Sequence, residues 1–224
     1  MRNDSMLTTR SETSVLASNA VLRNTYMLLA LTLGFSALTA MIAMFTQAAP
    51  LNPFITIVVY FGLLFFVYKT SNSAMGLFAV FALTGFLGYT LGPILNLYIN
   101  QFQNGSQLVA QSLGGTALIF LGLSAYALTT KKDFSFMRSF LFAGALIAFV
   151  ASLGAIFFHI PALSLAVSAA FMLISSGFIL MQTSDIIHGG ETNYIMATVT
   201  IYVSLYNIFL SLLNLLGAFS GERD

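Results

Sequence analysis

Hydrophobic and polar positions follow one another along this chain in long blocks rather than residue by residue. Seven apolar runs lie near residues 25–46, 54–68, 74–99, 108–130, 138–158, 162–184 and 195–217, divided by short polar breaks. A helix needs about 20 mostly apolar residues to cross a bilayer. All the runs reach that length except the second, which does so only if it extends to about Leu51 and Ser71. The period-two pattern of a membrane barrel is missing. The predicted fold class is an all-α integral membrane protein, a bundle of seven transmembrane helices over residues 25–218. Residues 1–24 are polar and rich in Ser, Thr, Asn and Arg, which reads as a disordered tail. Residues 219–224 read as a second, short tail. The first run is long enough to span and lacks a clear small-residue cleavage site, so no cleavable signal peptide is expected.

Composition strengthens this reading. The 224 residues are 58% hydrophobic and 7% charged, where an ordinary soluble domain is about 25% charged. Lys69 is the only charged residue between Arg23 and Lys131. Basic residues also set an orientation. With the N-terminus inside, Arg2, Arg10, Arg23, Lys69, Lys131, Lys132 and Arg138 all fall on the inner side, against Arg223 alone outside. That is the positive-inside pattern. It predicts a cytoplasmic N-terminus and an external C-terminus. Eight scattered basic residues make no nucleic-acid-binding face. The absence of cysteine excludes disulfides, thiolate metal sites and Cys nucleophiles. Trp is absent too, and Tyr26, Tyr68, Tyr98, Tyr126 and Tyr194 stand near the run ends as interfacial aromatics.

Polar residues inside the runs predict packing. Thr200, Ser204, Asn207, Ser211 and Asn214 step by four and three along the last run, one stripe down a helix. Lipid offers such groups no partner, so the last helix is expected at the centre of the bundle. Ser168, Ser175 and Gln182 form a facing stripe on the sixth run, and Thr25, Thr32, Ser36, Thr39 and Thr46 a third on the first. Helix–helix adhesion explains such stripes, and a water-lined path is the alternative. In the third run Gly88 and Gly92 have small-xxx-small spacing, and Gly92 with Pro93 marks a bend, either static or a gating hinge.

Candidate chemistry is sparse. Asp185, His188 and Glu191 recur at steps of three between the sixth and seventh runs. Gly189 and Gly190 break any helix there, so Gly189 reads as a helix cap and the three residues as a solvated cytoplasmic rim. A weak cation contact is the sharper alternative, since one His and two carboxylates make a thin metal set. A Ser–His protease would need Ser175 or Ser176 near His188, which lies more than three turns along the same segment. His-Glu-x-x-His is missing. No catalytic residue, cofactor or bound metal is expected. His159, beside Pro161, reads as a cap at the opposite end.

Four segments carry a resemblance. TGFLGYTLGPILNLY (84–98), LGGTALIFLGLSAYALTTKKDFSF (113–136), QTSDIIHGGETNYI (182–195) and ATVTIYVSLYNIFLSLLNLLG (197–217) resemble the bacterial branch of the Bax inhibitor (TMBIM) family. The resemblance runs over nearly the whole chain from about Val21. It implies a compact seven-helix bundle with the last helix central. It further implies a non-enzymatic inner-membrane modulator of the FtsH ATP-dependent protease, associated with HflK–HflC and itself degraded through its N-terminal tail. The alternative it implies is a calcium or ion leak channel closed by a pH-sensing aspartate pair. The positions matching that pair are Gln182 and Ser204. An amide and a hydroxyl cannot share a titrating proton as two carboxylates do, so that pH switch is expected to be lost.

Overall fold

The computed structural model describes residues 2–221, with side-chain surroundings from residue 17 onward. Seven long helices follow one another: α1 (Arg2–Phe45), α2 (Pro53–Thr70), α3 (Ala74–Gln101), α4 (Gly105–Thr130), α5 (Arg138–Phe158), α6 (Pro161–Ile187) and α7 (Tyr194–Phe219). A short 3-10 turn, Ser135–Met137, precedes α5. All seven are long and apolar enough to cross a membrane, the first over Ala17–Phe45. The short second run gains its length at both ends, where Pro53 opens α2 under an Asn52 cap and Lys69–Thr70 close it.

One element departs from expectation. The tail expected to be disordered over residues 1–24 is helical from Arg2 onward. No Gly or Pro occurs before Gly34, so nothing stops a helix anchored in the bundle from propagating backward. At 44 residues, α1 is about 66 Å long, roughly twice the hydrocarbon thickness. Residues 222–224 of the expected C-terminal tail lie outside the described residues.

The bundle is built around α7, which packs against α1, α3, α4 and α6. Its buried side chains run the full length, from Ile195 through Ile201, Tyr202 and Ile208 to Leu213 and Gly217. Leu28, Leu29, Val80, Leu83 and Ile179 from α1, α3 and α6 close the core around it. The Tyr202 hydroxyl donates to Thr84 O at 3.2 Å and lies 2.6 Å from Ser36 Oγ, tying α7 to α3 and α1. Tyr206 OH meets Thr90 Oγ1 at 3.0 Å in the same interface.

A close backbone approach joins α1 to α3. A Cβ added at Gly88 would stand 2.3 Å from both Ser36 O and Thr39 Oγ1, and one at Gly92 would stand 2.4 Å from Ala43 Cβ. Ser36, Thr39, Ala40 and Ala43 are small themselves, so two stripes of small residues interlock. Pro93 lies inside α3, which continues as a helix to Gln101. Gly92 and Pro93 are both buried. By contrast α2 buries only Val67 and leaves Phe54, Ile55, Val58 and Phe65 exposed, as a lipid-facing helix should.

Candidate functional site

The charged side chains gather at one end of the bundle, on the α2–α3, α4–α5 and α6–α7 turns. The α6–α7 turn is a Schellman closure. Gly190 N–H donates to Asp185 O at 2.8 Å and Gly189 N–H to Ile186 O at 3.2 Å. This geometry needs the left-handed backbone that Gly189 adopts, φ 73°. Asn193 then caps α7, its side-chain oxygen accepting from the backbone of Ile195 and Met196. Its amide reaches Ser71 O at 3.2 Å and Asn72 Oδ1 at 2.9 Å, joining this turn to the α2–α3 turn. The Asn193 cap is not among the residues singled out from the sequence. An Asn directly before an apolar helical run was the available signal.

The three spaced residues of the rim have three different roles. Asp185 is not solvated, as a wet rim would have it. Its side chain is 7% exposed and pairs with Arg138 at 2.6 Å, the arginine side chain being 60% exposed. Burial of a carboxylate requires such a partner, and Arg138 stands at the start of α5, 47 positions away. His188 is exposed, but both ring nitrogens meet backbone carbonyls: Nδ1 is 2.9 Å from Ser184 O and Nε2 is 3.0 Å from Lys131 O. Glu191 accepts from Asn193 N–H at 2.8 Å and shapes the turn. Buried Ser184 completes the connection. Its hydroxyl donates to Lys132 O at 3.0 Å and accepts from Phe134 N–H at 3.0 Å. The α4–α5 loop is thus fastened to the end of α6 by Ser184, Asp185 and His188. In that loop the Asp133 carboxyl is held below the usual carboxylate range, first by the Ser135 N–H that it accepts and, less, by His188. Among the described residues no group of three His, Cys, Asp or Glu side chains could hold a metal ion.

The polar stripe of α7 divides by depth. Thr200 and Ser204 turn their hydroxyls back to Met196 O and Thr200 O of their own helix. Gln182 and Ser204 are both buried, on helices packed together, and the Gln182 side-chain nitrogen has no hydrogen-bond partner. Towards the other end of the bundle, Asn214 donates to Ser168 Oγ at 2.8 Å, so the α6 and α7 stripes meet there. A cavity of about 590 Å³ opens at that level. Tyr98, Ser152, Ser164, Ser168, Asn207, Ser211 and Asn214 supply its polar lining, while Gln182 and Ser204 do not reach it. Thr25, Thr32 and Ser36 of the α1 stripe are buried, whereas Thr46 caps the exposed helix end. His159 takes a left-handed conformation, φ 51°, and closes α5 with its N–H on Ala155 O.

Comparison with known proteins follows this architecture. The family described as "Inhibitor of apoptosis-promoting Bax1" matches residues 18–221. A protein of Escherichia coli named "Modulator of FtsH protease YccA" is 52% identical over 205 residues, covering 92% of this chain and 93% of its own. Its counterpart in another Escherichia coli strain, named "Inner membrane protein YccA", matches to the same extent. A Pseudomonas aeruginosa protein of uncharacterized function is 52% identical over 204 residues, 91% of each chain. The match runs from residue 18 to residue 221, through all seven helices, and this multi-pass membrane protein belongs to the Bax inhibitor family.

Proposed function

We propose that this chain is a non-enzymatic modulator of an FtsH-type ATP-dependent protease in a bacterial inner membrane. It associates with that protease and its HflK–HflC partners and slows the degradation of other membrane proteins. The observation that carries this reading is the 52% identity, across nine-tenths of both chains, to a protein named for that role. Seven of the eight basic residues fall on the N-terminal side of the bundle, which supports a cytoplasmic N-terminus and rim and a periplasmic C-terminus. The long N-terminal part of α1 then projects to the side where an ATP-driven protease pulls, and serves as the handle through which the chain is itself degraded. The leak-channel alternative has the polar cavity in its favour, but Gln182 and Ser204 offer no carboxylate to bind a cation or titrate.

Isolation of the tagged chain from native membranes is expected to recover the protease with HflK and HflC. Deletion of residues 2–16 is expected to lengthen the chain's own half-life several-fold in a pulse-chase. Isolates free of the protease would remove the reading. Equal lifetimes for the full and shortened chains would remove the handle alone.

A further inference from the structure

We infer that the cavity between α5, α6 and α7 binds an uncharged, hydroxyl-bearing amphiphile of the acylglycerol class, its head on the polar stripe of α7 and its tail in the bilayer. Two polar side chains that line the cavity have no protein partner. Ser211 is 5% exposed and makes no hydrogen bond among the described residues. Asn207, one turn away and half-buried, likewise makes none. Asn207 stands midway along α7, Tyr194–Phe219, at a depth where hydrocarbon offers no hydrogen bond and a bare amide is costly. Asn214 stands two turns further on, about 10 Å along the axis. Its amide nitrogen donates to Ser168 Oγ at 2.8 Å and to Ser164 Oγ at 3.3 Å, which leaves its carbonyl oxygen to accept from an occupant.

The lining selects the chemistry of the occupant. No Lys, Arg, Asp or Glu lines the cavity, and none occurs between Arg138 and Asp185 or between Glu191 and Glu222. A charged head would enter without a counter-charge. The amides and hydroxyls offer donors and acceptors together, the complement of a glycerol head. Between them the walls are apolar, with Val167 and Phe171 from α6, Leu213 from α7 and Ile156 from α5. Water alone would satisfy the polar atoms but wet these faces, whereas a head joined to a hydrocarbon tail suits both. The mouth shows where the tail goes. Ile156 lines the cavity yet is half exposed on a transmembrane segment, beside exposed Phe157. Both α5 and α7 pack on α6, so the space is the angle between them, open sideways to lipid. Its volume of about 590 Å³ lies within the roughly 300–1,000 Å³ of small-molecule sites and takes the head with the first part of one chain. The site is separate from the charged rim and from Gln182 and Ser204, and it stands whether or not the chain modulates a protease.

Trp is absent from the chain, so Phe171→Trp places a single fluorophore in the cavity wall. The full chain in phosphatidylcholine vesicles is titrated with a monoacylglycerol brominated beside its ester, a contact quencher. Quenching is expected to saturate at a few mole per cent, as one site fills. Two lipids with the same brominated chain are compared: the methyl ester, which lacks hydroxyls, and the lysophosphatidate, which adds a charge. Both are expected to quench only in proportion to their amount, as random neighbours in a bilayer do. Asn207→Leu and Ser211→Ala in the reporter chain are each expected to raise the half-saturating amount of monoacylglycerol about fivefold, the effect of losing one hydrogen bond of ordinary strength. Native mass spectrometry of the chain without any substitution is expected to retain one monoacylglycerol and no lysophosphatidate. Merely proportional quenching by the monoacylglycerol, with none retained on the unsubstituted chain, would mean a cavity filled with water and would overturn the inference. Saturation by the methyl ester or the lysophosphatidate at the same amount, or half-saturation unchanged in both variants, would overturn it equally.

Discussion

Gly88→Ala is expected to destabilise the bundle by about 2 kcal/mol, whereas Gly34→Ala is expected to leave it unchanged or slightly more stable. Both substitutions add one methyl group to a transmembrane helix and gain the same helix propensity. They differ in what the methyl meets. At Gly34 nothing lies within 4 Å. At Gly88 the new Cβ stands 2.3 Å from Ser36 O, a backbone atom that cannot swing aside. Helix α1 must move away from α3, and Ser36 then loses its 2.6 Å hydrogen bond to Tyr202 on the central helix. Overpacking costs of about 1–3 kcal/mol and a lost hydrogen bond of about 1 kcal/mol exceed the propensity gain of roughly 1 kcal/mol. Unfolding in mixed detergent micelles measures both variants. Equal stabilities would show that α1 and α3 do not touch at this point.

Arg138→Ala is expected to cost about 2 kcal/mol, and the double variant Arg138→Ala with Asp185→Leu to recover most of that loss. Asp185 is almost fully buried, and Arg138 is its partner at 2.6 Å. Removing the guanidinium strands a carboxylate in a site that water enters poorly. Breaking a fully buried pair costs about 3–5 kcal/mol. Arg138 is 60% exposed, so solvent screens part of the interaction and the smaller figure applies. With an apolar side chain at 185 there is no charge left to strand. The same detergent unfolding distinguishes the cases. A double variant no more stable than Arg138→Ala would mean that the arginine acts through packing rather than charge.

The bundle itself was legible because lipid imposes long apolar blocks, and the blocks count the helices directly. The centrality of α7 was legible for a related reason: a polar stripe with no place in lipid must face protein. Contacts between distant segments were not. Gly88 and Gly92 announced a close approach without naming α1 as the partner, since small residues also recur on other helices. Asp185 and Arg138 lie on different helices, and no spacing rule links them. The helical continuation of α1 before Thr25 is hidden by a polar composition, although no Gly or Pro interrupts the chain before Gly34. His188 looked like one member of a run of charges. Only the placement of two carbonyls around its ring separates it from Asp185 and Glu191. Gln182 and Ser204 entered through family resemblance. The structure places them buried on adjoining helices, without the carboxylates that a calcium switch requires.

The central proposal, modulation of an FtsH-type protease, is tested most directly by the turnover of a second membrane substrate of that protease. The substrate's half-life is followed by pulse-chase with this chain absent, at native level and at high level, in cells of fixed protease content. The half-life is expected to lengthen progressively with the amount of this chain. A half-life that stays constant across all three levels would contradict the account.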